Sequence, residues 1–142
     1  MSTGGKKIAV IGAGPAGYTA AQELSKNGYT VDIYDKEDRL GGAIYTGIPE
    51  YRMSKIFLDK VFASMKEDKN ITFHFNTKID CERFEGLRKN YDKVLVATGA
   101  QIENTYGFEP GNGLYAGLTL LYDLNIRGNH EYYKKYKKAM VW

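Results

Sequence analysis

Gly12, Gly14 and Gly17 lie in the stretch Ile8-Ala9-Val10-Ile11-Gly12-Ala13-Gly14-Pro15-Ala16-Gly17 and have the spacing to hold a phosphate. Gly12 permits a tight turn, and Gly14 lets backbone approach a pyrophosphate with no Cβ in the way. Gly17 lets a following helix pack closely on a strand. Together with Ala13, Pro15 and Ala16 they bring the free N–H groups of a helix start to the anion, where the helix dipole also favours negative charge. Asp35 follows Gly17 by 18 residues, close to the offset at which a carboxylate accepts hydrogen bonds from a ribose diol. A carboxylate there repels a 2′-phosphate, which disfavours an NADP adenosine. The competing reading of Asp35 is a strand-end acid facing solvent. NAD and FAD share the ADP half, so these residues leave the two open.

The elements that must position this constellation surround it. Ile8 to Ile11 is a short uncharged apolar run, the pattern of a parallel strand buried on both faces. A helix is expected from Pro15 or Ala16 to Lys26, with Ala16, Ala20, Ala21 and Leu24 on its packed side and Asn27-Gly28 as its stop. Tyr29 to Tyr34 completes a βαβ unit that ends in Asp35. Lys36 to Arg52 reads as loop. Ser54 is placed as the N-cap of a helix carrying Phe57, Val61 and Met65 on one face. Asn70 to Asn76 alternates as a strand does, with Ile71, Phe73 and Phe75 on one side. The polar stretch from Thr77 to Asn90 receives no assignment. Lys93 to Ala97 is expected to be a third buried strand, stopped by Thr98-Gly99. Gln101 to Gly117 reads as loop, including the Gly111–Gly117 glycine cluster, which follows Phe108-Glu109-Pro110 and lacks a preceding strand. Helices are expected over Leu118–Asn125 and Glu131–Lys138, and Ala139 to Trp142 resembles the opening of another strand.

At 142 residues with 43% hydrophobic and 26% charged residues, the chain has the composition of one globular domain. The single cysteine, Cys81, excludes an internal disulfide and an iron–sulfur cluster held by this chain alone. No apolar run reaches membrane-spanning length and no secretory h-region follows the N-terminal lysines, so a cytoplasmic protein is expected. The net charge of +3 resides in the last residues, where Lys134, Lys135, Lys137 and Lys138 outnumber Glu131. The interleaved Tyr132, Tyr133 and Tyr136 would suit stacking on bases, but a solvated helix is the simpler account, and no nucleic-acid partner is expected. His74 reads as an outer-face strand residue, His130 as a loop residue and Cys81 as an inert thiol. No catalytic or metal-ligating set emerges.

"GAGPAG", "DKEDRLGGAIYTGIPEYRM" and "YDKVLVATGA" resemble the FAD-binding half of the pyridine-nucleotide-dependent flavoprotein oxidoreductases. Within them the likeness is to the glutamate synthase small-subunit family, which includes the flavin domain of dihydropyrimidine dehydrogenase. It runs from Lys7 to the last residue. The resemblance implies an α/β, Rossmann-like parallel sheet with an N-terminal βαβ unit, of the three-layer ββα FAD-domain type. It implies FAD as the cofactor, held by the glycine turn, by Asp35 with Lys36, and by Arg39 with Gly41, Gly42 and Ala43. Arg52 would contact the flavin, backbone near Ile79 the adenine, and Ala97, Thr98 and Gly99 the cofactor's flank. The chain departs from the family pattern in Asp35 (usually Glu), Thr46 (usually aromatic) and Ser54 (usually Pro).

By the same resemblance, residues 7–127 are an incomplete FAD-binding domain, preceded by a disordered or tag-like segment at 1–6. Residues 128–142 are a basic segment leading into the first strand of an NAD(P)-binding domain that the chain lacks. NAD(P)H would be the electron donor of the parent protein and an iron–sulfur or other acceptor subunit its partner. The chain alone would not complete turnover. Two other readings are the FAD domain of a different flavoenzyme class, and a non-catalytic interaction module that self-associates through its C-terminal strand.

Overall fold

The computed structural model describes residues 5–141. Four strands, β1 (Lys7–Ile11), β2 (Thr30–Tyr34), β3 (Ile71–His74) and β4 (Lys93–Val96), form one all-parallel sheet in the order β3-β2-β1-β4. Helix α1 (Pro15–Lys26) connects β1 to β2 as the expected βαβ crossover. It ends at Gly28, whose φ of 82° and N–H to the Ser25 carbonyl (2.8 Å) close the last turn.

The glycine turn lies at the C-terminal edge of this sheet, where ligands of open α/β folds bind. The larger core forms on one face from Ile8 and Val10 of β1, Val31 and Ile33 of β2 and Ile71 of β3. Helix α1 covers it with Ala21, while Leu58 and Phe62 come from α3 (Lys55–Met65). Beneath the opposite face, Ala9 and Ile11 meet Leu87 of α4 (Cys81–Asn90). The described residues form one sheet, with α4 packed on its second face. The polar run after β3 forms this helix behind Asp80, its N-cap, whose carboxylate accepts the Arg83 N–H at 2.9 Å. Cys81, the first residue of α4, is exposed.

Several expected faces are rotated or open. Helix α1 packs through Gly17, Ala21 and Ser25, and Ala16 is exposed because the helix start tips it toward the cleft. In α3 Val61 and Met65 pack against the core as expected, but the buried residues are Leu58 and Phe62 and Phe57 is 59% exposed; Ser54 holds the N-cap position without a side-chain bond. Strand β4 is not buried. As an edge strand with one neighbour and no helix over Leu95 or Val96, it leaves them 38% and 57% exposed.

The former loop assignment at 36–52 contains a short helix, α2 (Ala43–Gly47). Leu118–Asn125 is helical as expected, within α5 (Gly117–Asn125), whereas the next helix, α6 (His130–Tyr133), is far shorter than expected. Residues 139–141 form no strand, since a strand needs a bonded neighbour and none of the described residues pairs with them. Trp142 and residues 1–4 lie outside the described residues. Among the described residues no helix is long and apolar enough to cross a membrane.

Candidate nucleotide-binding site

A cleft of ≈ 500 Å³ opens over the C-terminal ends of β1, β2 and β4, within the range of about 300–1,000 Å³ common for small-molecule sites. Its floor is the glycine turn. Gly12 has φ of 109°, and a Cβ there would run into the Ala97 carbonyl, so the turn and β4 approach as only glycine allows. Gly14 caps α1 in extended backbone, with Pro15 opening the helix. The N–H groups of the first helical turn lack intrahelical acceptors and lie at this floor.

The facing wall comes from Gly42 and Ala43 at the start of α2. Gly42 has φ of 47°, and a Cβ on it would sit 2.8 Å from the Gly14 Cα. Two bare backbones therefore touch, and the shelf they form on the cleft side is free of side chains. That shape suits a pyrophosphate flanked by backbone donors. Gly41 lies behind, buried against Phe62, and donates its N–H to the Ala13 carbonyl (3.0 Å), joining the two glycine segments.

The rim past β2 is acidic. Asp35 accepts the Ala13 N–H (2.6 Å) on Oδ2 and the Glu37 N–H (2.9 Å) on Oδ1. Each oxygen keeps a second lone pair for a ligand hydroxyl. Lys36 donates to Gln101 Oε1 at 2.7 Å. Ala97, Thr98 and Gly99 line the cleft beside β4.

Not every expected residue reaches the cleft. Ala13 is fully buried, and Gly17 packs beneath the turn against the Gly12 carbonyl. Arg39 points elsewhere: its Nε and Nη2 donate to Asp38 Oδ1 (2.5 Å) and Oδ2 (2.8 Å), and its guanidinium lies 4.9 Å from the Tyr45 ring. That charge-assisted pair holds the Asp38 carboxyl below the ordinary carboxylate range and raises Arg39 further. Arg52 is exposed and lines no part of the cleft, and Ile79 packs beside Ala9, Ile11 and Leu87 on the other sheet face.

Sequence reasoning missed the roof. Helix α5 contributes Leu118, Thr119 and Tyr122, and Arg127 follows it. Glu103 caps α5, accepting the Leu118 N–H (2.5 Å) and the Thr119 N–H (3.1 Å) and hydroxyl (2.9 Å). Partial burial works to raise the Glu103 carboxyl, but these donors outweigh it and hold it low. Tyr122 donates to Glu37 Oε2 at 3.0 Å, and burial followed by this bond raises its phenol. The acid and the tyrosine stand 85 positions apart in the chain, so no local spacing could have paired them. Among the described residues no group of three His, Cys, Asp or Glu side chains is placed to hold a metal ion.

A parallel sheet, a βαβ unit and a glycine turn opening into a cleft define a Rossmann-like nucleotide-binding domain. The family model for an NAD(P)-binding Rossmann-like domain matches residues 10–57. By sequence its relatives include glutamate synthase small chains. It is 41% identical over 97 residues to the glutamate synthase [NADPH] small chain of Mycobacterium tuberculosis, covering 68% of this chain and 20% of that protein. It is 36% identical over 129 residues to the NADP(+)-dependent formate dehydrogenase subunit beta of Moorella thermoacetica, covering 87% and 18%. The chain thus spans about a fifth of the length of these relatives. FprA of Mycobacterium tuberculosis, solved in complex with NADPH, superposes with a TM-score of 0.74 at 22% identity over 84% of this chain and 28% of that one, a likeness of fold.

Proposed function

We propose that this chain is the FAD-binding portion of an NAD(P)H-dependent oxidoreductase, with residues 7–127 as the flavin domain and 128–142 leading toward a nicotinamide-binding domain. The observation that carries the proposal is the side-chain-free shelf that Gly14 and Gly42 form in backbone contact at the start of α1. Residues around this shelf fit the group: backbone donors and the α1 dipole would hold the pyrophosphate, Asp35 the ribose diol, and the Ala97–Gly99 backbone the flank. Bound there, FAD would supply two-electron transfer from a reduced nicotinamide to an acceptor. The chain's own part is binding, orientation and exclusion of water.

Gly41 and Gly42 favour FAD over NAD(P) in this cleft, since they match the second glycine segment of the flavoprotein pattern. Asp35 and Glu37 on one rim disfavour a 2′-phosphate by charge repulsion. NAD(P) in the same cleft is the second reading, motivated by the matched NAD(P)-binding family. The names of the relatives, a small chain and a subunit beta, support an acceptor subunit as partner.

An absorbance spectrum of the purified chain, taken after addition of FAD and desalting, tests the proposal. Flavin absorbance retained by the wild type and lost in Gly14→Val is the expected result. A wild-type chain that ignores FAD and ADP but binds NADPH sinks it in favour of the second reading.

A further inference from the structure

Two rims of the cleft, residues 35–37 and 42–48, follow β2 closely in the chain, and α5 touches both. At one end Asn125 Nδ2 donates to the carbonyls of Thr46 (2.7 Å) and Ile48 (3.2 Å), at the C-terminal end of α2. These are carbonyls that α2 cannot satisfy internally. Lys55 Nζ from α3 reaches the same end, donating to Tyr45 O (2.6 Å) and Ile48 O (2.9 Å). On the opposite rim Tyr122 donates to Glu37 Oε2, two residues past Asp35. Ile126, just beyond α5, packs into the larger core, and Glu103 fixes the helix start. Helix α5 therefore packs along α2 and is tied by side chains to both rims.

We infer that α5 sets the width of the cleft, and that Asn125 and Tyr122 are positioning residues that hold the Gly42 wall and the Asp35–Glu37 rim at the separation a dinucleotide needs. Asn125 acts through α2: a loosened α2 would carry Gly42 away from Gly14. Tyr122 acts through Glu37, whose N–H in turn orients the Asp35 carboxylate at 2.9 Å. Neither residue need touch the ligand. Both pairings bridge long sequence separations, 79 and 85 positions, and the polar groups involved are partly buried, where an unmade hydrogen bond is costly.

The consequence for FAD rests on the function proposed above; the positioning itself does not. Amide hydrogen exchange of the full chain without ligand is measured in the wild type, Tyr122→Phe and Asn125→Leu, with Asn125→Ser as a smaller replacement should the leucine prevent folding. Exchange is expected to accelerate about tenfold or more across residues 43–48 in the Asn125 variants and at residue 37 in Tyr122→Phe, while β1 and β2 stay protected. FAD binding by each variant is expected to weaken about tenfold. Unchanged exchange at both rims, or an equal loss across the whole sheet, overturns the inference. A wild type that binds no FAD, with rim exchange responding as described, removes the flavin reading and leaves the positioning role intact.

Discussion

Asp35 closes the glycine turn from behind: its Oδ2 accepts the Ala13 N–H at 2.6 Å, across 22 positions of chain. The residue just past β2 is thus a structural partner of the glycine turn as well as the candidate ribose acceptor. Its shorter side chain, where the family pattern has Glu, keeps the carboxylate close to that turn.

Asp35→Ala removes both functions. Losing the acceptors of two backbone N–H groups should cost about 1–3 kcal/mol of stability, read by urea unfolding. Asp35→Asn keeps one acceptor oxygen and should cost less, yet weaken FAD about tenfold, near 1.4 kcal/mol. Equal flavin affinity in Asp35→Asn and wild type would leave Asp35 a structural role alone.

The three turn glycines should fail in different ways. A Cβ at Gly12 meets the Ala97 carbonyl, and one at Gly17 meets the Gly12 carbonyl, so Gly12→Ala and Gly17→Ala should each destabilise the fold by about 1–3 kcal/mol. At Gly14 the nearest atom is the Gly42 Cα at 3.8 Å and the backbone is extended, so Gly14→Val should keep its Tm within a few degrees while losing ligand. Thermal unfolding of the three variants distinguishes these outcomes.

Stability should depend on pH through Asp32, which is 4% exposed on β2. Burial works to raise its carboxyl, but bonds from Lys7 Nζ (2.7 Å), Tyr91 OH (2.5 Å) and His74 Nε2 (3.3 Å) prevail and hold it below its ordinary 3.8. A carboxyl lower in the folded state lends stability above its unfolded value, lost as pH falls through the folded one. Lys7 is raised above 10.5 chiefly by the same bond, so its contribution is present below that value and fades as pH climbs through the folded one. Unfolding free energy should therefore be level at neutral pH and decline below about pH 4. Asp32→Asn should shrink both limbs; an unaltered profile would remove Asp32 from the account.

The packed face of α3 is checked by a pair of substitutions. Phe62, 6% exposed, should cost about 3–5 kcal/mol on conversion to Ala, whereas Phe57→Ser should lie within about 0.5 kcal/mol of wild type. Comparable losses at both positions would contradict the packing.

The βαβ unit and its cradle were legible because each signal there is local: an apolar run, three glycines, a helix stop and an acid at a set distance. Ile71 and Phe73 likewise declared β3 by alternation. Helix α4 escaped because only Phe84 and Leu87 break its polar run, although Asp80 was a readable cap. On α3 only Phe57 was misplaced, because Phe57 and Phe62 are equally apolar and only the position of the sheet chooses between them. Strand β4 looks buried in composition, but an edge position is a property of sheet order, which no single strand encodes. The roof escaped for a related reason: Glu103, Tyr122 and Asn125 gain their roles from chain that returns across the sheet.

The lone sulfhydryl offers a practical consequence. Cys81 is exposed at the head of α4, on the sheet face opposite α1 and α3, and lines no part of the cleft. A maleimide dye would therefore attach at one defined point, turning the unaltered sequence into a fluorescence reporter for ligand titration.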